Sequence, residues 1–123
     1  AFLHDLGSLA TIGSTWDGPP FVCVVLDNQG GGIFDHLPIS QHPSAYETHF
    51  VTPPKVNIAS MAEALTGRCS TVGSQDELTE ALTKAFESPG VSVVHVPFSR
   101  EDDLGAYNAL WKSGCGAAEG VLA

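Results

Sequence analysis

Phe21-Val22-Cys23-Val24-Val25-Leu26-Asp27-Asn28-Gln29-Gly30-Gly31-Gly32-Ile33-Phe34 is the stretch whose reading decides the fold. Phe21 to Leu26 is a continuous apolar run rich in β-branched residues. That pattern predicts a strand buried on both faces, as in a parallel sheet. The run ends abruptly in a carboxylate and a carboxamide, Asp27 and Asn28, and three glycines follow. Such a stop at the carboxyl edge of a sheet can hold a metal and a phosphate. Asn28 offers a neutral hard oxygen of the kind Mg²⁺ accepts beside carboxylates and phosphates, and glycines let backbone approach a ligand closely.

Working outward, Phe2, Leu3, Leu6, Leu9, Ala10 and Ile12 recur at helical spacing and predict an opening helix, weakened by Gly7 and Gly13. Asp17-Gly18-Pro19-Pro20 is turn chemistry. Pro38 to Pro54 reads as an irregular surface loop with a short helical turn at Ser44 to Phe50. A loop of that length is usually functional or lies against a partner. Asn57 caps a helix over Ile58 to Thr66, and Arg68 to Val72 is a short strand. Ser74 opens a helix over Gln75 to Glu87, with Glu77 at capping-box spacing and an apolar face of Leu78, Ala81, Leu82, Ala85 and Phe86. Val91 to Phe98 is a third buried strand. Arg100 to Lys112 is a last helix, with Leu104, Tyr107, Leu110 and Trp111 facing inward. Gly114 to Ala123 is rich in small residues and reads as a frayed tail. Strands alternating with helices imply an α/β fold with a parallel sheet flanked by helices. Ligands of such sheets bind beyond the strands' carboxyl ends, where Asp27 to Gly32 would lie. With no strand before its first helix, the chain looks like a fragment.

Charge narrows the function. Fourteen acidic residues against five basic ones give a net −9 over 123 residues. That field repels nucleic acid and anionic membranes. It also repels a diphosphate unless a divalent cation or backbone amides mediate. Cys23, Cys69 and Cys115 form no C-x-x-C pair and suggest neither a disulfide framework nor a zinc site. Their usage suits a reducing cytoplasm. No apolar stretch approaches transmembrane length, and no signal peptide opens the chain. His4, His36, His42, His49 and His95 show no metal-ligand spacing on one helix. His95 alternates with valines and reads as a structural histidine. Asp27 reads as a cap of the turn rather than a ligand. Arg100-Glu101-Asp102-Asp103 reads as a charged helix start, its acids suiting the helix dipole. The glycine triplet is neither a Walker loop nor a dinucleotide fingerprint.

Phe2-Leu3-His4-Asp5-Leu6, the run VVLDNQGGGIFDHLP from Val24 to Pro38, Arg100 to Asp103 and Leu110-Trp111 together resemble a known family. It is the C-terminal domain of the MenD synthases (2-succinyl-5-enolpyruvyl-6-hydroxy-3-cyclohexene-1-carboxylate synthases), thiamine-diphosphate enzymes of menaquinone biosynthesis. The resemblance covers residues 1–112 and leaves 113–123 as a flexible tail. It implies a fragment of a thiamine-diphosphate-binding fold: the C-terminal part of the diphosphate-binding domain. By resemblance Asn28 closes the cofactor motif and ligates Mg²⁺ (or Mn²⁺), with the Gly30 carbonyl beside it. Gly31 and Gly32 contact the diphosphate. Ala1 takes a small-residue position beside it. Ile33, Phe34 and Leu37 wall the thiazolium and the substrate.

The Gly-Asp that opens the family motif is expected just before Ala1. The resemblance further implies an activating glutamate on a separate pyrimidine-binding domain, a central domain, and a homodimer or homotetramer in the cytoplasm. The reaction implied is decarboxylation of 2-oxoglutarate and addition to isochorismate, with the fragment alone silent. Two other readings stay open at this point: an acetolactate-synthase-like thiamine-diphosphate enzyme, and a non-catalytic α/β interaction domain.

Overall fold

The computed structural model describes residues 2–122. A 3₁₀ turn, Phe2–Asp5, leads into α1 (Leu6–Thr15), followed by β1 (Phe21–Asp27). Four helical turns come next: 3₁₀ turns Gly32–Phe34 and Pro38–Gln41, a short α2 (Pro43–Tyr46) and a π turn Glu47–Val51. Then come α3 (Ile58–Thr66), β2 (Cys69–Thr71), α4 (Gln75–Glu87), β3 (Val91–Pro97) and α5 (Arg100–Leu122). The backbone divides into two compact units. One holds the chain to Asp27 plus Lys55–Pro97; the other holds Asn28–Pro54 plus the segment from Phe98 onward. Among the described residues no helix is long and apolar enough to cross a membrane.

In the first unit the three strands form a parallel sheet in the order β1-β3-β2, with Phe21 opposite Val91 and Thr71 opposite His95. Alternation along each strand sends Val25, Val91 and Val93 to one face. There they bury with Leu9 of α1 and Ile58 and Ala62 of α3, flanked by Phe2, Leu3, Leu6 and Ile12. Each such aliphatic side chain contributes roughly 1.5–3 kcal/mol when fully buried. The helix α4 packs against β3 and β1. The caps form as the sequence predicts. Ser60 N–H donates to Asn57 Oδ1 at 2.8 Å, and Glu77 N–H donates to Ser74 Oγ at 3.2 Å. Glu77 itself reaches back one residue further, its Oε2 accepting from Gly73 N–H at 2.7 Å.

Two burial expectations are corrected here. β1 is not buried on both faces: Phe21 and Val24 are exposed and Leu26 is 67 % exposed. It is an edge strand of the described sheet: Val24 and Leu26 lie on the face opposite the Val25 core, and Phe21 stands at the strand's open start. β3, the central strand, does bury Val91 through His95. Phe86 is exposed rather than part of the α4 core face.

The second unit bears out one part of the loop expectation and corrects the rest. The helical turn expected at Ser44 to Phe50 is present, as α2 and the π turn, but the segment before it is not irregular: Pro38–Gln41 is itself a 3₁₀ turn, and the run buries Tyr46 and Val51. Its helix α5 continues past Lys112 through Leu122. Leu110 and Trp111 do not face inward, Trp111 being 66 % exposed, and Tyr107 is only partly covered. A helix of 23 residues rises about 34 Å. Arg100 and Leu104 near its start reach the turns, Tyr107 sets its ring against His36 at 4.2 Å, and Leu110 and Trp111 run past them.

Candidate functional site

The chain leaves β1 at Asp27, and the next residue opens the turn on which the site is built. Gln29 takes a left-handed conformation, φ 61°. That bends the chain back so that Gly30 N–H donates to Asn28 Oδ1 at 3.3 Å, a loop stitched by its own side chain. An amide oxygen carries two lone pairs, so this long bond leaves Asn28 Oδ1 capacity for a cation. Asn28 is half-buried and lines an open groove of about 600 Å³. Gln29, Asp35, Tyr46, Glu47, Arg100 and Glu101 share that wall.

Close approach accounts for the glycines. A Cβ on Gly30 would lie 2.5 Å from Val51 Cγ1 and 2.9 Å from Val51 O. One on Gly32 would lie 2.7 Å from Asp35 Oδ2 and 3.1 Å from Asn28 Nδ2. Gly31 N–H donates to Val51 O at 2.8 Å, fastening the turn to the π turn.

Beneath the turn sits a charged knot. Asp35 Oδ1 accepts from Tyr46 Oη at 2.6 Å and from Arg100 Nη1 at 3.3 Å. The other guanidinium arm of Arg100 donates to Glu47 Oε1. The bond to Glu47 holds Arg100 above its ordinary range. Burial pushes the Tyr46 phenol up to about 12, aided by the Asp35 carboxylate it bonds and eased by Arg100. These four residues were missed from sequence. A signal existed: Tyr46 and Phe50 are an i, i+4 aromatic pair inside a Pro-rich polar stretch, their rings stacked at 5.8 Å. Arg100 is one of only two arginines in a strongly acidic chain.

The predicted residues separate. Asn28 lies on the groove wall with Arg100, and Gly30, Gly31 and Gly32 form the half-buried turn beside it. Ile33, Phe34 and Leu37 are not on that groove wall, and neither are they core: Ile33 is 78 % exposed and the other two are exposed as well. Phe34 meets Phe50 edge-on at 5.8 Å. Leu37 lines a separate cavity of about 320 Å³ with His36. Ala1 lies outside the described residues.

Asp27 is held by His95, whose Nε2 lies 2.9 Å from Asp27 Oδ2 while Nδ1 lies 3.3 Å from Thr71 Oγ1. With His95 buried at the ends of three adjacent strands, this is the satisfied structural histidine the alternation predicts. Losing such a partner leaves a desolvated carboxylate, at a cost of about 1–3 kcal/mol.

The donor set suits a metal-bridged diphosphate better than a bare one. Asp35, Glu47 and Glu101 line the groove, and an unmediated anion would meet their field. Mg²⁺ demands octahedral oxygen ligation and usually takes only one or two protein ligands beside phosphates and water. One amide oxygen at a glycine turn fits that role.

Comparison with known proteins bears on the same segment. The family described as "Thiamine pyrophosphate enzyme, C-terminal TPP binding domain" matches residues 1–96. The chain is similar to the 2-succinyl-5-enolpyruvyl-6-hydroxy-3-cyclohexene-1-carboxylate synthase of Pelodictyon phaeoclathratiforme, 36% identical over 110 residues. That alignment covers 89% of this chain and 18% of the relative. The synthase of Rubrobacter xylanophilus is 34% identical over 116 residues, covering 94% of this chain and 20% of its own length. That of Prosthecochloris aestuarii is 34% identical over 113 residues, 92% and 19%. The chain thus spans about a fifth of the length of the curated relatives it matches.

Proposed function

The chain belongs to the thiamine pyrophosphate enzymes, in the family of their C-terminal TPP binding domain; from that premise we propose that residues 1–112 are the C-terminal part of a diphosphate-binding domain in a MenD-type synthase. The whole enzyme would join decarboxylated 2-oxoglutarate to isochorismate in menaquinone biosynthesis, with residues 113–123 as the C-terminal tail. The observation that carries this reading is Asn28, held by its own Gly30 N–H on the wall of a groove beside the glycine turn. Its side-chain oxygen and the Gly30 carbonyl would ligate Mg²⁺ or Mn²⁺. Gly31 and Gly32 would let the diphosphate approach the backbone, and Ala1 would lie beside it.

Ile33, Phe34 and Leu37 support the reading by their exposure. Three large apolar side chains left open next to such a turn fit a dry wall completed by the rest of the enzyme. When bound, thiamine diphosphate supplies the electron sink for decarboxylating a 2-oxo acid, and the protein supplies orientation and electrostatics. This chain's contribution is to grip the metal, shape the turn and exclude water. The activating glutamate, the remaining metal ligands and the pyrimidine-binding and central domains would come from the rest of the polypeptide and its partner subunits, in the cytoplasm.

The test is calorimetry with thiamine diphosphate and Mg²⁺ on the chain joined to the upstream four-fifths of one of these relatives. Saturable, Mg²⁺-dependent heat that Asn28→Ala abolishes is expected. Absence of heat with metal present would favour a non-catalytic interaction domain. Turnover of 2-oxoglutarate but not pyruvate by the same protein would separate this reading from an acetolactate-synthase-like one, and the 123-residue chain alone should give none.

A further inference from the structure

Arg100 lies beyond the residues that the family description matches, yet its side chain reaches the groove wall that carries Asn28. We propose that Arg100 is a positioning residue of this site, clamping Asp35 to Glu47 so that the Asn28–Phe34 turn keeps the shape that presents Asn28. The proposal rests on reading Asn28 as a metal ligand, and deepens it.

Arg100 is not set up to grip an anion itself. Its two arms already hold two carboxylates, Asp35 at 3.3 Å and Glu47. An anionic group arriving there would meet both negative charges and would have to break one pair. A guanidinium fork that satisfies two carboxylates on two separate turns is instead a brace, with directions fixed by its planarity. One end of the brace is the cap of the Gly32–Phe34 turn, since Asp35 follows Phe34 and its N–H donates to Gly32 O at 3.0 Å. The other end is the π turn, since Glu47 is its first residue. The Arg100 stem also lies beside the glycine turn: a Cβ on Gly32 would come within 3.3 Å of its Cδ. Tyr46 adds a third tie through Asp35 Oδ1.

The two turns need a brace. Gln29 and Thr52 flank them in left-handed conformations, φ 61° and 42°. Such conformations cost energy and persist where surrounding contacts over-determine them. The turns meet directly through Gly31 N–H and Val51 O at 2.8 Å. That amide is therefore a reporter of the brace that needs no cofactor.

The experiment compares wild type, Arg100→Gln, Arg100→Lys and Glu47→Gln. Amide exchange is read at Gly31, with Val93 and Val94 of the buried strand as controls, in the full 123-residue chain. The thiamine diphosphate dissociation constant with Mg²⁺ is read in the chain joined to a relative's upstream part. Arg100→Gln should speed exchange at Gly31 at least about tenfold, leave Val93 and Val94 protected, and weaken thiamine diphosphate by about tenfold. Arg100→Lys, a point charge without a fork, should restore less than half of either loss. Glu47→Gln should reproduce a smaller change of the same kind. Unchanged exchange at Gly31 in Arg100→Gln, or full rescue by lysine, would overturn the proposal. If Arg100→Gln also loses protection in β3, Glu47→Gln decides, since faster exchange at Gly31 alone supports the brace and no change refutes it. A wild-type protein that takes up no thiamine diphosphate would sink the cofactor reading, while exchange at Gly31 still judges the brace.

Discussion

Gly30→Ala should open the glycine turn. An alanine Cβ there would lie 2.5 Å from Val51 Cγ1 and 2.9 Å from Val51 O. Neither neighbour can give way cheaply. Val51 is 1 % exposed, short and β-branched, so it has no flexible end to withdraw. Its carbonyl accepts Gly31 N–H at 2.8 Å, so moving it breaks that bond. Overpacking of this kind costs typically about 1–3 kcal/mol. A lost hydrogen bond adds about 0.5–1.5 kcal/mol. The sum, about 1.5–4.5 kcal/mol, corresponds to exchange at the Gly31 amide roughly 10- to 1,600-fold faster at about 1.4 kcal/mol per decade. Val51→Ala removes Cγ1 but not the carbonyl. The double variant should therefore cost less than the two single costs added, by about 1 kcal/mol, a coupling typical of residues in contact. Exchange at Gly31 within about twofold of wild type in Gly30→Ala, a change below the usual noise of surface substitutions, would refute the close-approach account of the glycine run.

Two further outcomes follow from the same unit. Thr52 is β-branched at φ 42°, and Thr52→Gly should raise the urea midpoint by relieving about 1 kcal/mol of left-handed strain, part of it offset by unfolded-state entropy; a lower midpoint would show that the threonine is not strained. The Tyr46 phenol is raised from 10.0 to about 12, so the folded chain holds its proton more tightly than the unfolded one. Its stabilising contribution is complete below about pH 10 and is lost as pH rises from 10 toward 12. Between about pH 9 and about pH 11, roughly one unit either side of an ordinary phenol, the urea midpoint should fall less in Tyr46→Phe than in wild type. Equal falls in both proteins would exclude the phenol as the titrating group.

Much of the first unit is legible in the sequence because local physics and tertiary packing agree there. Asn57 and Ser74 are capping side chains, and both accept the backbone donors expected of them. The valines of β3 alternate around His95, and the strand is buried at the centre of a parallel sheet. The second unit was less legible because its turns are held by contacts distant in sequence. Asp35 and Arg100 are 65 residues apart, and Glu47 and Arg100 are 53 apart. No local periodicity encodes such pairs, so Pro38 to Pro54 reads as loop apart from the helical turn at Ser44 to Phe50. The exposed residues failed for the complementary reason. Tyr107, Leu110 and Trp111 have the spacing of a buried helix face, as Phe21 to Leu26 has the composition of a buried strand. Spacing shows which residues share a face, but not whether another element covers it.

The sequence by itself determined the alternation of strand and helix, the position of Asn28 at the end of the first strand, and the family to which its glycine run belongs. Those features depend on residue type, period and adjacency, all of which are written along the chain. The tertiary structure alone decided that Asn28 shares a groove wall with Arg100, that Val51 and Asp35 leave no room for side chains at Gly30 and Gly32, and that β1 keeps an exposed face. These depend on which distant segments come within a few ångströms of one another, and packing in three dimensions sets that.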